Sequence, residues 1–185
     1  MQQTAPKSMT VEEFLALPED GVERWLIRGQ LREAKPVGDA RMTIRSRFHA
    51  EVTAAVAYVL NRWNRQQPKP RGRVYAGEAG VILPGDPPST VGVDVAYVSA
   101  ELAASQGTDT SLIRGVPTLV VEILSPSASH AQISEKVKTY LAAGVSNVWL
   151  VDTDFKTITV YQPQSPPQMF NPTHELGMGS DLPGC

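Results

Sequence analysis

The sequence predicts an α/β fold built on a central mixed sheet. Three observations lead to it. Apolar residues recur at helical spacing over one long segment, several strand-like apolar runs follow, and a second helical pattern separates two of those runs. Two of the runs are each interrupted by one carboxylate, Asp94 in "VGVDVAYV" and Glu122 in "PTLVVEILSPS".

The elements follow in chain order. Thr10-Val-Glu-Glu13 has the form of a capping box and precedes Phe14, Leu15 and Leu17, so a short helix is expected to end near Pro18. "RWLIRGQLREA" reads as two short strands about a turn at Arg28-Gly29. Phe48, Val52, Val56, Val59, Leu60 and Trp63 mark the inward face of the longest helix, roughly Arg41 to Gln66, which "QQPKPRG" ends. Two strands, "RVYAGEAGVIL" and "VGVDVAYVS", flank the turn-rich "PGDPPST". A short helix or loop runs through "AELAASQGTDT". The strand carrying Glu122 comes next and breaks at Ser125-Pro126-Ser127. A helix near Ser129 to Ala143 ends at Gly144, a glycine in C-cap position. "NVWLVD" and "TITVYQ" flank "TDFK" as a hairpin. Residues 163–185 are rich in Pro and Gly and are expected to form a poorly defined, truncated tail. With no internal repeat or composition break, residues 1–185 read as one domain.

Composition narrows the function. Hydrophobic residues make up 42% of the 185 and charged residues 19%, as in a chain that folds on its own core. The only cysteine, Cys185, rules out a disulfide within the chain. No apolar run is long enough to span a membrane, and "MQQTAPKSMTVEEF" lacks the apolar stretch of a signal peptide, so a soluble cytoplasmic protein is expected. The net charge of -2 argues against a general nucleic-acid binder. A local excess runs against that average: Arg41, Arg45, Arg47, Arg62, Arg65, Lys69, Arg71 and Arg73 share a span whose only acid is Glu51. This run is either a solvated helix face or a phosphate-facing patch. The patch reading makes Arg62, Arg65, Lys69 and Arg71 candidate DNA contacts.

The chemistry centres on the two strand carboxylates. An ionised carboxylate in an apolar interior costs several kcal/mol unless a cation meets it, either from the protein or as a metal. Strand alternation puts Val91, Val93, Val95 and Tyr97 on one face and Asp94, Ala96 and Val98 on the other. Adjacent strands would hold Asp94 and Glu122 side by side, where they repel each other. Mg²⁺, or Mn²⁺ in its place, relieves that repulsion, since it binds one or two carboxylates and keeps several waters. The carbonyl of Ile123 would complete its protein ligands. The helix after Ser129 supplies Lys136 and Lys138. Lys136 lies about 60° from Ile133, at the edge of the Ile133, Val137, Tyr140 and Leu141 stripe, whereas Lys138 lies roughly 140° away. Lys136 is therefore the lysine expected to reach Glu122, as a catalytic cation or as a structural ion pair.

Other polar residues have weaker cases. Glu78 reads as a turn carboxylate or an auxiliary metal ligand. His49 reads as a satisfied core residue or a substrate contact. His130 and His174 lack metal-ligand spacing. Trp25, Trp63 and Trp149 are expected to pack in the core, and Asp152 to form a turn. A phosphate-cradling loop ending in Lys-Ser or Lys-Thr, a dinucleotide fingerprint, a G-x-S-x-G elbow and a zinc cysteine pair are all absent from the sequence.

The segments "MTVEEFLALPEDGVERWLIRGQL", "GVDVAYVSAEL", "GVPTLVVEILSPS", "EKVKTYLAAGVSNVWLVD" and "TITVY" resemble, in order and spacing, the Uma2 family of restriction-endonuclease-like proteins in the PD-(D/E)xK nuclease superfamily. The resemblance implies a restriction-endonuclease-like core, a mixed sheet flanked by helices. It also implies a metal site at Asp94 and Glu122 and hydrolysis of a DNA phosphodiester. Val93 stands where the superfamily has a proline, and Leu124 where it has the lysine two residues after the glutamate. The family pattern takes that lysine from the next helix, at Lys136, with Gln132 where an acid often precedes it.

The expectation is thus a Mg²⁺-dependent endonuclease in which Asp94 and Glu122 bind metal and Lys136 orients or activates water. A homodimer is expected on the ground that two cuts need two sites. The alternatives are an inactive nuclease-like fold acting as a binding or structural module, and a metal-dependent hydrolase of small phosphoesters.

Overall fold

The structure, a computed structural model, describes residues 8–33, 46–107, 111–125 and 129–174. Of the basic run, Arg41 and Arg45 lie outside the described residues, as do Ser127 and the last part of the expected tail, 175–185.

α1 (Val11–Leu15) opens with the capping box expected of it: Thr10 and Glu13 each accept a hydrogen bond from the other's backbone N–H. β1 (Arg24–Ile27) and β2 (Gln30–Glu33) pair about a turn in which Arg28 and Gly29 both have positive φ, 48° and 72°. That combination matches the right-handed twist of the strands it joins. α2 (Arg47–Gln66) is capped by Ser46, whose hydroxyl accepts from the His49 N–H. β3 (Arg73–Leu83), β4 (Ser89–Val98), α3 (Ala100–Ser105), β5 (Ile113–Arg114) and β6 (Leu119–Ile123) follow. α4 (His130–Ala143) starts at a second capping box, Ser129 with Gln132, and stops at Gly144, whose φ of 99° suits glycine. β7 (Asn147–Asp152), β8 (Thr157–Gln162) and β9 (Ser165–Phe170) complete the described chain.

The strands form one nine-stranded sheet in the order β2-β1-β4-β6-β7-β8-β9, with β3 on β4 and β5 on β3. It is mixed, as expected: β6–β7 and β3–β5 run parallel and the other pairs antiparallel. Leu60 and Trp63 of α2 pack with Val95, Tyr97, Val121, Ile123 and Trp149. Val137 and Tyr140 of α4 pack with Ala96, Val98, Val120, Val148 and Leu150. Val120 and Val121 are sheet neighbours with opposite side-chain directions, so the two helices cover opposite faces. Arg32 ties the β1–β2 hairpin to α4 by gripping Glu135 at 2.7 Å and 3.0 Å. Trp25, Trp63 and Trp149 are buried, as expected.

Three expectations need correction. Helical spacing assigns Phe48 and Val59 to the inward face of α2, but they are 54% and 56% exposed. The buried stripe runs through His49, Leu60 and Trp63, and Phe48 and Val59 lie roughly 100° around the helix from the His49–Leu60 line. Along β4, Val91 and Val93 pack in the α4-side cluster and Val95 and Tyr97 in the α2-side cluster, so simple alternation fails at Asp94. The break coincides with a bulge: Ala76 pairs with Val95 and Ala79 with Val93, leaving Gly77 and Glu78 opposite Asp94. Finally, residues 165–170 of the expected tail form β9, whose Pro166 and Pro167 are tolerated because the strand is at an edge.

Candidate active site

Asp94 and Glu122 come together through strand register. β4 and β6 pair antiparallel as far as Val95 opposite Val121, so Asp94 and Glu122 are the next residue on each strand beyond the last pair, and Asp94 takes the Ile123 N–H with its side chain. Both are buried, at 6% and 9% exposure, where the sheet is covered by a helix on each side.

Each acid is held from a different layer. One Asp94 oxygen, Oδ2, accepts the backbone N–H of Ile123 at 2.7 Å. The other, Oδ1, lies 3.1 Å from Nε2 of His49 on α2. Glu122 is met from α4: Lys136 Nζ lies 2.9 Å from Oε2, and the Tyr140 hydroxyl donates to Oε1. Lys136 and Tyr140 are four residues apart and so share one helix face. The Lys136 ammonium also lies 5.7 Å from the centre of the Trp25 ring, within cation–π range. Lys138 is exposed, as its helical position predicts.

Burial dominates the electrostatics. It raises the Glu122 carboxyl pKa above the ordinary 4.5; the Asp94 charge adds to this, while Lys136 and Tyr140 oppose it. Burial pulls Lys136 down, but the charge and hydrogen bond of Glu122 outweigh it and hold the ammonium above its ordinary 10.5. The Tyr140 phenol is pushed well above 10, first by burial and then by the Glu122 charge. Lys136 is therefore a cation and Tyr140 a neutral donor at neutral pH.

The donor set fits a small divalent cation. Two adjacent carboxylates are the hard oxygen ligands that Mg²⁺ or Mn²⁺ takes, and each oxygen holds a further lone pair beyond the hydrogen bond described. A strand residue turns its N–H and C=O to the same edge, so the Ile123 carbonyl faces the β4 side with the N–H that Asp94 accepts. Glu78 sits exposed in the bulge opposite Asp94, with φ of 59°. Among the described residues, no group of three or more His, Cys, Asp or Glu side chains is arranged to hold a metal, so Glu78 does not join the pair.

The remaining candidates lie apart. Arg62, Arg65, Lys69 and Arg71 are exposed at and beyond the far end of α2. Arg62 is 13 residues past His49, about 20 Å along the helix. His130 and His174 are exposed. Asp152 forms a turn, accepting the N–H groups of Asp154 and Phe155. No described helix is long and apolar enough to cross a membrane. Sequence reasoning did not bring His49 to Asp94 or Tyr140 to Glu122. Both sit at helical core spacing, and only the polar atom of each ring hinted at a partner.

Comparison with known proteins agrees with this architecture. A solved structure described as "a putative nuclease belonging to DUF820 from Anabaena variabilis ATCC 29413" superposes with a TM-score of 0.75 at 22% identity, covering 94% of this chain and 91% of that one. The fold is accordingly restriction-endonuclease-like. No curated protein matches the sequence. The family model Uma2, described as "Putative restriction endonuclease", matches residues 11–185. The chain therefore belongs to the Uma2 family.

Proposed function

We propose that the protein is a Mg²⁺-dependent endonuclease that hydrolyses DNA phosphodiester bonds. The observation that carries this reading is the pairing of β4 with β6, which leaves two buried carboxylates as the residues just beyond Val95 and Val121, close enough for the charge of one to act on the other, with a partly buried lysine on Glu122. Asp94, Glu122 and the Ile123 carbonyl would hold the cation. When bound, Mg²⁺ supplies Lewis-acid stabilisation of phosphoryl charge and a more acidic water.

The protein groups have separable roles. Asp94 and Glu122 concentrate negative charge where a divalent ion is wanted. Lys136 holds a fixed positive charge beside the pair, suited to orienting a water and to neutralising charge that grows on a phosphate oxygen. The Trp25 ring lies on one side of the ammonium, within cation–π range. Arg62, Arg65, Lys69 and Arg71 would grip duplex phosphates about 20 Å from the site along α2, flanking the bond that is cut.

Supercoiled plasmid incubated with the protein and Mg²⁺ or Mn²⁺, beside Glu122→Ala, tests the reading. Metal-dependent nicking that the variant lacks is the expected result. A folded wild type that leaves plasmid intact in either metal counts against it.

One observation favours a second reading, a nuclease-like fold used as a binding module. Every oxygen of the acid pair already has a protein donor: Ile123, His49, Lys136 and Tyr140. A pair satisfied in this way needs no metal to remain buried. Mn²⁺ calorimetry separates the readings, since a module of this kind binds no ion that Asp94→Ala abolishes.

A further inference from the structure

We propose that His49 is a positioning residue, which fixes the Asp94 carboxylate for cation binding from the helix layer opposite Lys136. The inference rests on the metal-site reading and adds to it a residue from α2.

The geometry is specific. His49 is 8% exposed, on the buried stripe of α2, and its Nε2 lies 3.1 Å from Asp94 Oδ1. An ionised carboxylate only accepts, so the ring nitrogen facing it carries the proton. The other ring nitrogen, Nδ1, lies 3.4 Å from the Thr53 hydroxyl, which donates to the His49 carbonyl at 2.8 Å. The backbone of His49 is fixed as well, since its N–H donates to the Ser46 cap. Leu60 and Trp63 anchor the rest of the helix against the sheet.

Asp94 is thereby gripped at both oxygens by groups of unlike origin. Ile123 supplies a backbone N–H from β6, and His49 supplies a ring N–H from α2. Rotation of the carboxylate breaks one bond or the other. An ion shared with Glu122 would thus meet an oxygen whose direction is already set. A packing role alone asks only for a flat buried side chain, and does not explain a donor aimed at the strand's one acid. Partners that orient ligating groups in this way typically contribute about 10- to 100-fold in metal affinity.

The test compares His49→Ala with His49→Gln in the full chain. The glutamine amide nitrogen is as many bonds from Cα as Nε2 of histidine, and it donates. Mn²⁺ affinity measured by calorimetry is expected to fall about tenfold or more in His49→Ala and to stay within about threefold of wild type in His49→Gln. His49→Ala binding as tightly as wild type overturns the proposal, and so does a folded His49→Gln as weak as His49→Ala. A second measurement needs no metal: thermal unfolding of His49→Ala, Asp94→Ala and the double variant. Non-additive shifts in melting temperature are expected, and additive shifts overturn the proposed grip. If wild type binds no Mn²⁺, the metal-site reading fails, and this cycle alone decides whether His49 holds Asp94.

Discussion

Tyr140 donates its hydroxyl hydrogen to Glu122 from one turn beyond Lys136, so a single face of α4 serves both oxygens of one carboxylate. Tyr140 is fully buried, and its hydrogen bond cannot be replaced by solvent. Tyr140→Phe keeps the ring and deletes the donor. It should lower stability by about 1–3 kcal/mol, the cost of stranding a buried acceptor of this kind. Urea unfolding at neutral pH measures it, with an unchanged slope expected. A variant as stable as wild type would mean that Glu122 is served without the phenol.

Lys136 separates structure from chemistry. Lys136→Met leaves Glu122 buried beside Asp94 without its cation, a loss of about 3–5 kcal/mol when the acid remains ionised. Adding Glu122→Gln removes the stranded charge, so the double variant should regain most of that stability. Plasmid nicking should stay absent from both. A double variant that nicks plasmid in Mg²⁺ would show that neither side chain belongs to the chemistry.

The raised pKa of Glu122 gives a pH signature with a definite sign. The folded chain binds this proton more tightly than the unfolded one, whose carboxyl titrates near the ordinary 4.5. Its contribution to stability is complete below that value and is lost as pH rises through the folded pKa. The metal-free wild type should therefore lose stability across this window relative to Glu122→Gln. Mn²⁺ affinity should move the opposite way, rising over the same window as the carboxylate forms. Urea midpoints and calorimetry at matched pH values check both slopes. A flat stability difference between the two proteins would place the titration elsewhere.

The basic patch should affect DNA and leave the ion alone. Arg62→Glu with Arg65→Glu should weaken duplex binding, and the salt slope should become shallower by about 0.9 for every phosphate that is no longer neutralised. Mn²⁺ affinity should stay at the wild-type value, because the patch begins about 20 Å along α2 from His49, the α2 residue that meets Asp94. Unchanged duplex affinity would favour small phosphoesters as substrates.

Much of this arrangement was legible in the chain. Asp94 and Glu122 stood out because each interrupts an apolar strand, and adjacent strands meet in register. Lys136 stood out by its angle on α4. Polar contacts made across the sheet left no local signal. His49 and Asp94 are far apart in sequence, and an aromatic at core spacing, like Tyr140, reads first as packing. β9 was hidden because Ser165-Pro166-Pro167 breaks the apolar alternation that marks a strand, which an edge position allows. The division of β4 between two clusters was hidden too, since it depends on a bulge in its partner, β3.

The tie between Arg32 and Glu135 joins residues 103 positions apart. With it, the last donors to the acid pair, Lys136 and Tyr140, enter the molecule long after Asp94 has been made. A chain still on the ribosome and not yet extended through α4 has both acids but lacks the groups that balance them. The charge balance of the pair must therefore wait for that helix.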